Sequence, residues 1–357
     1  MSPMFVPGPV DVAPEILAAQ TLPMVPHRAK EFETVFQRCE ARLRQIFETQ
    51  YRVFIMTNSG SGAQEATIRN LVKERVLCCV NGSFSDRWYK VAQANGKQAD
   101  KIEVPMGQAI LPSMVEEAFK KQSYDTFVIV HNETSTGVEN PVKEIAALIH
   151  QISPETMICV DAVSSLAGAK IEMDAWGLDV LFTSSQKAFA LPPGLAFCAV
   201  SDRGMARAAQ VPNRGWYFDF ILLEKHRTKD STPMTPAMSL INALDKQLDR
   251  MLGEGLEARI ARHGGMAKRS QEWAAKMGWP LLAPEGCRSN TLTVICNPPE
   301  FDCSAFNKFM ASRNIRLANG YGDLKGKTIR VAHMGEIMPA DLEVLLAGIE
   351  EYMGQLK

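Results

Sequence analysis

Between Arg52 and Val200 the sequence keeps switching between two apolar periods, and this alternation constrains the fold more than any other feature. Short runs rich in β-branched and aromatic residues cover 52–56, 75–80, 126–130, 157–160, 180–182 and 196–200. Between them, 63–72, 85–95 and 142–151 place apolar residues three and four apart, the spacing of an amphipathic helix. Strands that alternate with helices over some 150 residues predict an α/β fold: a mostly parallel sheet covered on both faces. In such sheets ligands bind beyond the carboxyl ends of the strands. A further helix is predicted over 29–50. Past Thr235 the texture changes to two long helices, 236–251 and 256–277, separated by Gly-Glu-Gly at 253–255. A smaller unit follows, with strands over 291–296 and 328–332 and helices over 303–313 and 339–353. A chain of 357 residues exceeds one ordinary core. The predicted organisation is therefore an N-terminal segment over 1–13 that returns to the cleft, a large domain over 14–255 and a small domain over 256–357.

Composition excludes several classes of function. The 39 basic residues balance 40 acidic ones, which leaves no electrostatic footprint for nucleic acid or an acidic membrane. The proline-rich opening MSPMFVPGPV has no basic region before an apolar run, and no run of about 18 apolar residues occurs, so neither a secretory signal nor a membrane span is predicted. The eight cysteines are scattered without a C-x-x-C pair. They read as free buried thiols of a cytoplasmic protein, and no metal site is expected.

Polar clusters fall where the predicted strands end. TNSGSGAQEA (57–66) follows one strand and opens a helix; its small residues and free amides suit a phosphate, and read alone it is equally a tight turn with an N-cap. CVDAVSSLAG (159–168) ends an apolar run in Asp161, poised for a cationic group or for a structural salt bridge. HNETSTG (131–137) sets Thr134 and Ser135 near the same edge. LFTSSQKAFALPPG (181–194) puts Lys187 just behind a buried strand. A sheltered ammonium is costly, so such a lysine tends towards a lowered pKa and nucleophilic chemistry. A phosphate cradle, an acid and a lysine on one sheet edge match a cofactor with a phosphate, a basic ring nitrogen and an aldehyde, which describes pyridoxal 5′-phosphate.

Taken in order, FVPGPV (5–10), HRAKEF (27–32), SGSGA (59–63), NGSFSDR (81–87), HNETSTG, VDAVSSL (160–166), SSQKA (184–188) and TIRV (328–331) resemble the class V, fold-type I aminotransferases, the group of alanine–glyoxylate, serine–pyruvate and phosphoserine enzymes. The resemblance covers nearly the whole chain. It implies a large domain with a mostly parallel sheet of seven-stranded type between helices, plus a smaller C-terminal α/β domain. It also implies that Lys187 bonds to the cofactor aldehyde and then moves the substrate proton, and that Asp161 pairs with the pyridine nitrogen. Phe84 takes the place of the ring-stacking aromatic, Thr134 meets the ring hydroxyl, Gln186 the phosphate or ring edge, and Ser59, Gly60 and Ser61 the phosphate. Thr235 matches a residue that reaches the neighbouring subunit's cofactor, so a homodimer with shared sites is implied. Arg330 matches the arginine that grips the substrate α-carboxylate, and Gly8, His27 and Arg28 fall among the substrate-binding positions.

Two departures bear on substrate. Phe84 stands where many relatives carry Trp, and the loop GYGDLKGK (320–327) lacks the His-Arg pair that binds the phosphate in the better-known phosphoserine enzymes. His27-Arg28 or Lys325 and Lys327 remain as alternative cations. The expected reaction moves the amino group of a small L-amino acid to a 2-oxo acid. L-Phosphoserine with 2-oxoglutarate is the first choice, and alanine or serine with glyoxylate or pyruvate the alternative. A desulfurase would need a mobile cysteine late in the chain, where Cys287, Cys296 and Cys303 lie. A non-catalytic cofactor-binding protein would ordinarily lack the lysine or the arginine.

Overall fold

The computed structural model describes residues 3–356; Met1, Ser2 and Lys357, at the outer ends of the segments 1–13 and 256–357, lie outside the described residues. In chain order the first half holds β1 (Met4–Phe5), α1 (Pro14–Ala19), α2 (Lys30–Phe47), β2 (Arg52–Met56), α3 (Gly60–Leu71), β3 (Arg75–Val80), α4 (Ser83–Ala94), β4 (Gln98–Glu103), α5 (Pro112–Lys121) and β5 (Thr126–Val130). A two-stranded ribbon, β6 (Asn132–Glu133) and β7 (Val138–Glu139), precedes α6 (Val142–Ile152), β8 (Met157–Asp161), β9 (Val180–Ser184) and β10 (Ala196–Val200). The remainder holds α7 (Asp202–Gln210), α8 (Phe220–Arg227), α9 (Met238–Glu254), α10 (Leu256–Lys276), β11 (Leu292–Cys296), α11 (Cys303–Phe309), β12 (Arg316–Asn319), β13 (Thr328–Ala332) and α12 (Pro339–Gln355).

Seven strands form one sheet in the order β2-β10-β9-β8-β5-β3-β4. Only β10 runs against its neighbours; the other pairs are parallel. The period of two sorts its side chains onto two faces, both covered. Val53, Ile55, Leu77, Cys79, Phe127, Ile129, Ile158 and Val160 face one core, which also takes Phe32, Phe36 and Leu43 of α2. Phe54, Met56, Val76, Cys78, Val128, Val130, Met157 and Cys159 face the other, against Trp88 of α4 and Phe220 of α8. Each such fully buried apolar side chain contributes about 1.5–3 kcal/mol.

A second sheet has the order β1-β12-β13-β11 and packs on α10 and α12 around Trp273, Phe306, Leu345 and Ile349. Its edge strand comes from the far end of the chain: Met4 and Phe5 pair in parallel with Arg316 and Leu317, and Phe5 is buried in that core. The segment then crosses to the large sheet, where the Val10 amide donates to the Gln186 carbonyl. The N-terminal segment thus lies against the turn that carries Lys187, and it also completes the smaller sheet, which periodicity had not revealed. Among the described residues no helix is long and apolar enough to cross a membrane.

Candidate active site

Three connections of the large sheet meet at the carboxyl ends of β2, β8 and β9. After β2 the chain turns through Thr57–Ser59 and enters α3 at Gly60. The first amides of a helix have no partner within it, so those of Gly60 and Ser61 are left open. A Cβ on Gly60 would lie 2.7 Å from Val163 Cγ2, so only glycine lets α3 approach the segment after β8 so closely.

Asp161 ends β8. Its Oδ1 accepts from the Val163 amide at 2.9 Å and its Oδ2 from Gln64 Nε2 at 2.9 Å. Burial raises its pKa to about 6 against the pull of those two donors, with nearby Glu133 adding to the rise. At neutral pH the carboxylate is therefore mostly ionised and faces no cation at contact.

Lys187 follows β9 on a tight turn pinned by Ser185, whose Oγ donates to the Pro192 carbonyl at 2.8 Å. The side chain is 9% exposed, and its Nζ donates to the Pro7 carbonyl of the N-terminal segment. Burial above all, then the charge of Arg330, lowers its pKa to about 8. Gly8 has φ +125°, and a Cβ there would lie 2.8 Å from Lys187 Cδ, so this position requires glycine twice over.

The structure gathers Ser59, Gly60, Ser61, Phe84, Thr134, Asp161, Gln186 and Lys187 around one cavity. Thr134 Oγ1 lies 2.5 Å from Ser164 Oγ. Arg330, on β13, does not line the cavity; its guanidinium lies over Tyr321, which packs on Phe84 of the lining, its charge acts on Lys187, and its Nε donates to the Asn319 carbonyl at 2.9 Å. Gly8 reaches the cavity through its contact with Lys187. Thr235, His27 and Arg28 do not join it in this chain. Thr235 lines a separate small cavity with Thr57, Tyr217 and Thr232, and Arg28 leans on the 231–233 segment, 3.5 Å from the Thr232 and Pro233 carbonyls. Neither Lys325 nor Lys327 lines the cavity, and nor does Cys287, Cys296 or Cys303; burial raises the Cys303 thiol to about 11.

Four contributors escaped the sequence reading. Gln64 bonds Asp161, and Arg87 donates to Ser61 Oγ at 2.8 Å. Glu133 is fully buried and accepts from the amides of Phe84, Ser85 and Ser135, so it caps α4 and holds Phe84 in place. Tyr321 packs on Phe84 with ring centroids 5.2 Å apart. Gln64 lies three residues after Ser61 and Arg87 three after Phe84, a helical spacing that puts each on the same face as a recognised site residue.

Residues 15–323 match the family model of the class V aminotransferases. The chain belongs to that family. The aminotransferase is 34% identical to an uncharacterized aminotransferase of Methanocaldococcus jannaschii, covering 99% of this chain and 93% of that one. It is 30% identical to the L-aspartate–glyoxylate aminotransferase of Paracoccus denitrificans, over 98% of this chain and 89% of that one. Its structure superposes on an alanine–glyoxylate aminotransferase from Nostoc sp. with a TM-score of 0.91 at 29% identity, covering 98% and 94% of the two chains. The fold is therefore the fold-type I architecture of pyridoxal-phosphate enzymes, and the aminotransferase is pyridoxal-phosphate dependent. The cavity suits that cofactor. Gln64 Oε1, Ser184 Oγ and Gln186 Oε1, all of residues that line it, are buried without a hydrogen-bond partner among the described residues. Among the described residues Arg87, Lys187 and Arg330 bond only neutral oxygens, and Asp161 is the one carboxylate in the lining. A surplus of positive charge with one isolated acid fits a group that carries an anionic phosphate and a basic ring nitrogen.

Proposed function

We propose that this aminotransferase moves the amino group of a small L-amino acid to glyoxylate or a related 2-oxo acid. The bound cofactor supplies an aldehyde that condenses with amines and a ring that takes up electron density from the substrate Cα. In this reading Lys187 holds the aldehyde and, once displaced, carries the proton at the substrate Cα. A positioned base of this kind is worth about 10²–10⁴-fold in rate. Asp161 keeps the ring nitrogen protonated, Phe84 stacks on the ring, and Thr134 and Gln186 bond its edge. Ser59, Gly60 and Ser61 take the phosphate, with Arg87 beside them. Arg330 forks onto the α-carboxylate. A second copy of the chain brings Thr235 to the phosphate, so the active form is a homodimer. Eight free thiols suit a reducing cytoplasm.

The observation that carries the choice of substrate is the count of cations. Arg87 and Lys187 line the cavity, and Arg330 stands behind Tyr321, which packs on Phe84 of the lining. The cofactor phosphate and the substrate carboxylate engage Arg87 and Arg330. Within one chain a substrate phosphate would find no further cation among the described residues that line the cavity, and Arg28 of that chain is turned to the 231–233 segment. This supports a small donor without a second anionic group, such as alanine or serine, in line with the alanine–glyoxylate aminotransferase among the solved structures. L-Phosphoserine with 2-oxoglutarate is the second reading; it is favoured only by the exposed Arg28 beside the segment that precedes Thr235. Steady-state rates with alanine, serine, aspartate and phosphoserine against glyoxylate and 2-oxoglutarate decide between them. A phosphoserine rate well above the other three would reverse the order, and no transfer from any of the four would refute the proposal.

A further inference from the structure

Arg330 is supported on two sides. Its Nε is fixed to the Asn319 carbonyl, and its guanidinium carbon lies 5.5 Å from the centroid of the Tyr321 ring, within cation–π range. The same ring packs on Phe84 at 5.2 Å and 31°. Tyr321 therefore spans from the arginine of the small sheet to the first turn of α4 at the rim of the Lys187 cavity. Its loop is tied down: the Gly320 amide donates to the Thr328 carbonyl at 2.7 Å and the Gly326 amide to Asn319 Oδ1 at 2.8 Å. The Tyr321 hydroxyl makes no hydrogen bond among the described residues and the residue is 40% exposed, so the ring and not the phenol oxygen makes the contacts.

We propose that Tyr321 is a specificity-determining residue: its ring holds the Arg330 guanidinium ready for a carboxylate and, together with Phe84, narrows the space left for the donor side chain. The inference rests on the proposed amino transfer from small L-amino acids, and it adds the residue that sets the size limit. Arg330 keeps both terminal nitrogens free of partners among the described residues, as a two-pronged grip on a carboxylate needs. A ring that fixes the third nitrogen's side of the group lowers the disorder lost on binding. Removing it should weaken carboxylate binding and admit longer side chains.

The test uses the cofactor-loaded protein with Tyr321→Phe, Tyr321→Leu and Tyr321→Ala. The readouts are the dissociation constant of glyoxylate without amino donor, KM and kcat with alanine, and the ratio of kcat/KM for leucine over alanine. Tyr321→Phe should stay within about twofold in all three, because the ring is kept. Tyr321→Ala should raise the glyoxylate constant and the alanine KM by about tenfold with a smaller change in kcat, and raise the leucine-to-alanine ratio by about tenfold. Tyr321→Leu keeps the bulk without the π face; it should weaken glyoxylate binding while retaining size selection, and it serves if the alanine variant does not fold. A Tyr321→Ala protein with unchanged constants and ratio would overturn the proposal, as would a Tyr321→Phe protein as impaired as Tyr321→Ala. Wild-type protein that transfers no amino group from any donor would instead refute the proposed function, before any variant is compared.

Discussion

Lys187 and Asp161 are both displaced from their ordinary pKa values by the same cause, burial, and the two shifts work in opposite directions. Lys187, lowered to about 8, is easier to deprotonate, and only the neutral amine attacks an aldehyde. The rate at which cofactor-free protein captures pyridoxal phosphate should therefore climb about tenfold per pH unit below 8 and level off above it, followed by stopped-flow absorbance. A rate that climbs on towards pH 10 would mean an ordinary, exposed amine. Gln64 is one of two donors that hold Asp161 ionised near neutrality. Gln64→Leu removes that donor, so in cofactor-free protein the Asp161 carboxyl should titrate higher than about 6, followed by its carboxyl NMR resonance against pH; an unchanged midpoint would mean that Gln64 contributes little. Of the proposed site residues, Asp161 ends β8 and Lys187 follows β9, and such strand ends beside small polar neighbours are legible in a sequence. Gln64 and Arg87 carry only a helical-spacing signal, three residues after Ser61 and Phe84. Tyr321 had none, because its role exists only once the loop before β13 meets α4.

Strands were legible where an apolar run marks them. The central strands, apolar on both faces, stand close to where their periodicity puts them. β4 has no such signal because Gln-Ala-Asp-Lys-Ile-Glu lies at the sheet edge with none of its residues buried, so it lacks the apolar run of its neighbours. The N-terminus of α4 is set by a tertiary cap, since Gly82 offers no side chain and Glu133 from the next connection supplies the carboxylate. Glu133→Gln keeps the shape and gives up the charge. Hydrogen bonds to charged groups are worth about 1.5–3 kcal/mol each, so calorimetry should show a lowered Tm and titration a weaker hold on the cofactor through Phe84. Unchanged stability would mean that the cap contributes little.

At the scale of the whole molecule the N-terminal segment ties the two sheets together. Phe5 sits in the core of the smaller one, Pro7 and Gly8 lie on Lys187, and Val10 bonds the lysine turn. Two-residue pairing between the ends of a 357-residue chain leaves no periodic trace, which is why the sequence did not disclose the route of this segment. Phe5→Ala should cost about 3–5 kcal/mol in chemical denaturation and loosen the strap over the lysine. The division at Gly255, between α9 and α10, is our proposal for the domain boundary, since α10 already contributes Met266 and Trp273 to the smaller core.

The central claim is that Lys187 is the residue to which the cofactor attaches. Borohydride reduction of the loaded protein, followed by peptide mass analysis, tests it directly. The account predicts a pyridoxyl mass on the peptide that contains Lys187; an unmodified Lys187 in fully loaded, folded protein, or the label on another lysine, would contradict it.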